Sequence, residues 1–359
     1  MSDISIRQVG PKSAKTSIAF AIKKKRPIFL WGPPGIGKSD LVAQIGADTN
    51  REVIDVRLAL WEPTDIKGIP YFDSNAGTMT WAPPAELPTD PKSTAILFLD
   101  ELNSAPPAVQ AAAYQLILNR KVGTYHLPKG VDIVAAGNRD GDKGVTYRMP
   151  APLANRFVHL EMKVDFEDWQ DWATLHGIHP EVVGYVGYAK QDLYDYDPKS
   201  PSKSFATPRS WSFVSDLVAD EEIDTETLTN LVSGAIGDGL AVKFMAHRKI
   251  ASKLPKPDDI LDGKVKDLEI KEVSAMYSLT VGLCYELKER ADKKVKDWDA
   301  MADRFFNYMM KNFPTELVVM GAKTALTNYD LPLDASKMKS FDEFHKRFGK
   351  YVMNAMETD

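Results

Sequence analysis

Three groups of residues in this chain have the types and spacing for chemistry on a phosphate. The first is Gly32-Pro33-Pro34-Gly35-Ile36-Gly37-Lys38-Ser39. Its glycines allow a turn tight enough for successive backbone N–H groups to point inward at phosphate oxygens. Lys38 adds a point charge for the terminal phosphates, and Ser39 offers a hydroxyl to Mg2+. The pattern points to a nucleoside triphosphate. Gly32, Pro33, Pro34, Gly35, Ile36, Gly37, Lys38, Ser39 and Asp40 are the candidate nucleotide-binding residues, with a nucleoside triphosphate and Mg2+ as expected ligands. The second group is Asp100-Glu101, which ends an apolar run over 94–99. One carboxylate there can hold the metal, so Asp100 joins Ser39 as a candidate ligand, while Glu101 can orient and deprotonate an attacking water. The third is Asn138, just past the apolar run 131–136. Its amide can reach between a terminal phosphate and the attacking water; alternatively it only begins the turn Asn138-Arg139-Asp140-Gly141.

The elements that must position these groups are legible from hydrophobic periodicity. Ile28-Phe29-Leu30-Trp31 is a short strand running into the glycine-rich turn, and a helix over 40–49 follows, which is the strand–loop–helix order that a phosphate loop needs. An alternating strand is expected at 52–58. The continuous apolar runs 94–99 and 131–136 are strands buried on both faces of a parallel sheet, with helices at 18–25 and 108–119 and a turn at 121–128. Between 62 and 88 turn formers dominate. The centre, 69–81, reads as a β-hairpin with its turn at 74–77, flanked by Tyr71, Phe72 and Trp81. An insertion of this size is seldom idle.

From Asp165 onward the pattern is helical. The expected organisation is an α/β nucleotide-binding core over 1–164 with an insert at 62–88, a helical lid over 165–251, a linker at 252–266, and an all-α region over 267–359 that carries no catalytic motif. Pro208 opens a lid helix, and Arg209 in its first turn is oddly placed for a cation on dipole grounds. A helix end and an arginine together suit an anion. His176 and His179 beside Pro180 read as a turn and not as a metal site.

Composition bounds the remaining possibilities. A chain of 359 residues implies two or three domains, and 44% apolar with 26% charged residues is ordinary for a globular protein. No apolar stretch approaches the roughly 20 residues of a bilayer span. A net charge of −5 gives no global reason to bind nucleic acid, and the run Lys23-Lys24-Lys25-Arg26 reads as a solvated helix end. Nucleic acid is therefore not an expected partner. The N-terminus lacks a basic region followed by an apolar core, and the single Cys284 rules out an intrachain disulfide; a cytoplasmic location is expected.

With these residues placed, the chain resembles the AAA+ ATPases, and among them the MoxR-like group. Residues 32–39 resemble Walker A and 96–101 resemble Walker B. The run Asp100-Glu101-Leu102-Asn103-Ser104-Ala105-Pro106-Pro107-Ala108-Val109-Gln110 is similar to that group's extended Walker B and following helix. Asp65-Ile66-Lys67-Gly68, with Trp81-Ala82-Pro83-Pro84 closing it, resembles the hairpin the group inserts in its second helix. Asn138 falls at the sensor 1 position. Leu153-Ala154-Asn155-Arg156-Phe157 resembles the segment with the arginine finger, with Arg148 a second arginine near that position, and Ala206-Thr207-Pro208-Arg209-Ser210 resembles sensor 2. The resemblance covers about 4–219. It implies a hexameric ring with ATP and Mg2+ as cofactors that hydrolyses ATP to remodel a protein partner, often one with a von Willebrand factor A domain. It also implies catalytic roles for Glu101, Asn138, Arg156 and Arg209. A nucleotide-gated scaffold with little turnover and a nucleic-acid motor are the rival readings.

Overall fold

Uninterrupted apolar strands have to be covered on both faces, and the first half of the chain is built around two of them. The structure is a computed structural model that describes residues 6–139, 141–142, 146–220 and 222–357, and it divides into two units, 1–165 and 166–359. In the first unit the strands are β1 (Gln8–Val9), β2 (Ile28–Trp31), β3 (Val53–Arg57), β4 (Ile69–Asp73), β5 (Thr78–Ala82), β6 (Ile96–Asp100), β7 (Lys121–Val122), β8 (Tyr125–His126), β9 (Asp132–Gly137) and β10 (Val158–Met162). The helices are α1 (Pro11–Lys23), α2 (Lys38–Asp48), α3 (Pro63–Lys67), α4 (Pro107–Asn119) and α5 (Ala151–Ala154).

Six strands form one parallel sheet in the order β1-β10-β2-β9-β6-β3. Every residue of β6 and β9 is buried. Because side chains alternate across a strand, Leu97, Leu99, Ile133 and Ala135 join the core formed with Val109, Ala113 and Leu116 of α4, while Ile96 and Phe98 point to the opposite face. Helices α1 and α2 pack against the sheet strands. The fold is thus α/β with a parallel sheet, in which β2, β9 and β6 lie side by side and end at one edge.

Several elements differ from the reading of the sequence. Helix α1 starts at Pro11, seven residues before the expected start, because proline is preorganised for a helix's first turn and Ala14, Ile18, Ala21 and Ile22 make one buried stripe. Strands β1 and β10 were not expected; both are short, and β10 alternates polar with apolar residues. The expected turn over 121–128 holds the small antiparallel ribbon β7–β8.

In the insert, α3 is followed by the antiparallel β4–β5 hairpin, with Phe72 opposite Met79 and Pro70 opposite Trp81. Its turn is fixed by Asp73 Oδ1, which accepts from the backbone N–H of Asn75 and of Ala76. The Trp81 carbonyl accepts from Thr124 Oγ1 at 2.8 Å, tying β5 to the neighbouring ribbon. Tyr71 and Phe72 are 52% and 69% exposed, and Ile69 and Met79 are exposed beside them.

The second unit is all-α, built from α6 (Phe166–Leu175), α7 (Pro180–Tyr188), α8 (Pro208–Val218), α9 (Thr225–Ile236), α10 (Asp238–Ala251), α11 (Pro257–Leu261), α12 (Val273–Asp292), α13 (Trp298–Asn312), α14 (Thr315–Lys323) and α15 (Phe341–Glu357). Helix α12 packs along α7 and against α10. The stretch 252–266, expected as a linker, instead contains α11, whose Ile260 and Leu261 are buried in the same core as Leu283, Phe305 and Leu317. Arg290 of α12 holds α11 in place through Asp258 and Asp262, each at 2.7 Å. No helix among the described residues is long and apolar enough to cross a membrane.

His179 caps α7, its Nδ1 accepting from the Glu181 N–H, and His247 Nε2 lies 2.9 Å from Ser278 Oγ. Burial pushes both imidazoles down to about 4, helped at His179 by the Arg248 charge and opposed at His247 by donation to the Glu181 backbone carbonyl. Each group's folded value lies below its unfolded value of about 6.5, so the unfolded chain binds more protons between those values. Their stabilisation is complete above about pH 6.5 and is lost as pH falls to about 4, by roughly 3 kcal/mol for each group at most. Urea unfolding of the intact chain at pH 7 and pH 4.5 should show this loss, and His247→Gln should reduce the difference between the two. An unchanged pH dependence in His247→Gln would refute the assignment.

Candidate nucleotide site

The C-terminal ends of β2, β6 and β9 bring together residues that are far apart in the chain. After β2 the loop turns through Gly35 and Gly37, whose φ angles are +76° and +91°, a region that favours glycine. Gly37 is the N-cap of α2 and makes no side-chain cap, so the first N–H groups of that helix are left for an anion. Lys38 Nζ donates to the carbonyls of Gly32 and Pro33 at 2.7 and 2.9 Å and to Asn138 Oδ1 at 3.3 Å. Ser39 Oγ donates to Asp100 Oδ2 at 3.0 Å. Asp40 is exposed in the first turn of α2.

Asp100 is buried at the end of β6, and its Oδ1 accepts from the Glu101 N–H at 2.8 Å. Glu101 itself has φ +55°, a left-handed conformation that is uncommon for a residue with a side chain and that recurs where function fixes the backbone. Asp55 of β3 also feels this site. Its carboxyl is raised above the usual range, first by burial and then by the Asp100 carboxylate, against the opposing pull of Arg57.

Residues 27–157, which hold all of this geometry, match the family model described as AAA domain, dynein-related subfamily. This segment is therefore similar to AAA domains. A stretch of 192 residues, 51% of the chain, is 28% identical to midasin of Giardia intestinalis, of whose length it spans 4%. Among solved structures, the RuvB Holliday junction branch migration motor of Thermotoga maritima aligns over 84% of this chain and 88% of its own, at 17% identity and a TM-score of 0.37. NtrX of Brucella abortus, solved with ADP, aligns over 84% of this chain and 70% of its own, at 14% identity and a TM-score of 0.40.

Within residues 27–157 one residue of the site went unassigned in the sequence. Asn103, 1% exposed, holds both backbone groups of Asn138: its Nδ2 donates to the Asn138 carbonyl at 2.7 Å, and its Oδ1 accepts from the Asn138 N–H at 3.2 Å. The approach is so close that a Cβ on the preceding Gly137 would lie 2.1 Å from Asn103 Oδ1. The only signal in the sequence was the position of an asparagine three residues after Asp100.

Arg156 follows α5, and Arg148 precedes it; both are exposed. Arg156 forms no ion pair among the described residues. Arg209 belongs to the second unit, exposed in the first turn of α8, whose N-cap Thr207 exchanges hydrogen bonds with Ser210.

Proposed function

We propose that this chain is a ring-forming AAA+ ATPase of the MoxR type, working as a hexamer in the cytoplasm, that couples ATP binding and hydrolysis to remodelling of a protein partner. The observation that carries the reading is the meeting of the phosphate loop, the acid pair and Asn138 at one sheet edge, with Lys38 linking loop to Asn138 and Ser39 touching Asp100. The Ser39 hydroxyl and the Asp100 carboxylate are hard oxygens 3.0 Å apart, a donor set that fits Mg2+. When bound, that ion neutralises charge on the phosphates. Residues 32–40 would cradle the triphosphate, Lys38 exchanging its loop carbonyls for phosphate oxygens. Glu101 accepts the proton of the attacking water, and Asn138 orients that water. Arg156 serves the nucleotide of the neighbouring subunit, and Arg209 serves a nucleotide from the helical region.

Asn103 enters as the residue that aims Asn138. Asn103→Ala should leave ATP affinity nearly unchanged and slow turnover by about tenfold to a hundredfold, the scale at which small misplacements act. Titration with a fluorescent nucleotide beside steady-state ATPase assays measures both, and wild-type turnover would contradict this role.

The exposed hairpin is the surface on which a partner would act, and the MoxR resemblance implies a partner with a von Willebrand factor A domain. Tyr71 and Phe72 are too exposed to hold the hairpin by burial. Tyr71→Ala with Phe72→Ala should therefore keep the melting temperature, the ATP-dependent assembly seen by light scattering and the basal ATPase, while any stimulation by the partner is lost. Loss of melting temperature together with basal activity would count against a docking role. An assembly that forms with ATP but does not turn it over would favour the scaffold.

A further inference from the structure

His159 of β10 lies between the strand that opens the phosphate loop and the turn that carries Arg156. Trp31, the last residue of β2 before Gly32, donates from Nε1 to His159 Nδ1 at 2.9 Å, and His159 Nε2 lies 2.7 Å from the Ala154 carbonyl at the end of α5. An indole only donates and a carbonyl only accepts, so the two bonds require the neutral tautomer with its proton on Nε2. The imidazole also stacks on Trp31, with centroids 6.0 Å apart, and lies edge-on to Phe157 at 6.2 Å. Phe157 in turn meets Phe29 of β2 edge-on at 5.5 Å. The turn holding Arg156 is thus attached on both sides to β2: through the Ala154 carbonyl before the arginine and through the Phe157 ring after it.

We propose that His159 is a positioning residue that fixes Arg156 relative to the phosphate loop of its own subunit, so that the arginine offered to a neighbour is set by the strand leading into this subunit's nucleotide site. The inference rests on the reading of Arg156 as the finger. Packing alone would need only the ring, whereas both ring nitrogens are used here, one toward the loop strand and one toward the arginine's turn.

His159→Phe keeps a ring in the same place and removes both hydrogen bonds. In ATPase assays of the full chain it is expected to lower kcat at least tenfold, to change KM for ATP less than twofold, and to have no further effect when added to Arg156→Ala. Trp31→Phe approaches the same link from the other side and should show a smaller fall in kcat that likewise vanishes in the Arg156→Ala background. Wild-type kcat in His159→Phe, a change confined to KM, or losses that multiply with that of Arg156→Ala would each overturn the proposal. If His159→Phe fails to fold, the Trp31→Phe pair decides by the same criteria. Wild-type turnover in Arg156→Ala alone would sink the finger assignment and this inference with it, whereas an inactive Arg156→Ala beside a fully active His159→Phe sinks only the inference.

Discussion

Glu101→Gln should bind ATP as tightly as the parent chain and turn it over about a hundredfold to ten-thousandfold more slowly. The amide has the carboxylate's size and can still accept a hydrogen bond from water, but it cannot take the proton that water must lose. Affinity should survive because the groups placed to grip the phosphates, Lys38 and the N–H groups at the start of α2, lie on the loop after β2, whereas Glu101 follows β6. The backbone of Glu101 is held in its left-handed turn by the bond from its own N–H to Asp100, and the substitution leaves that bond intact. Lys38→Ala should behave in the opposite way and lose affinity first. Isothermal titration with ATP beside single-turnover hydrolysis separates the two effects, and equal losses of affinity in both variants would defeat the division of roles.

The contrast between these two residues and Asn103 shows what the sequence made legible. The candidate phosphate-site residues are local: Gly32 to Ser39 sit on one loop, and Asp100 and Glu101 are neighbours, so spacing alone singles them out as candidates. The bonds between Asn103 and Asn138 join the ends of two different strands, 35 residues apart, and nothing in either strand's periodicity announces which backbone groups will face each other. His159 was hidden for the same reason, on a strand whose five residues, Val158 to Met162, alternate too briefly to stand out. The error at 252–266 has a different cause. Pro255, Pro257, the acidic residues and Gly263 have the composition of a linker, but the two apolar residues between them, Ile260 and Leu261, are buried, and tertiary packing overrides local composition when a short helix has a core to enter.

Arg156→Ala should still bind ATP but lose turnover by about 10³-fold to 10⁵-fold, the scale of an arginine that reaches the transferring phosphate from a neighbouring subunit. Mixing makes the test specific to an interface. A ring assembled from Arg156→Ala and Glu101→Gln subunits contains some junctions where an intact Glu101 meets an intact Arg156, so two inactive proteins should recover activity together. Single-subunit catalysis predicts no recovery at any ratio, because each chain then lacks one of the two groups. Arg156 is exposed, as a group that acts outside its own chain must be, but Arg148 is exposed as well. The same mixture made with Arg148→Ala therefore provides the control. Recovery with Arg156→Ala, together with near wild-type turnover in Arg148→Ala alone, assigns the finger to Arg156. An inactive mixture whose subunits demonstrably exchange, or an active Arg156→Ala beside an inactive Arg148→Ala, moves the role away from the turn that follows α5.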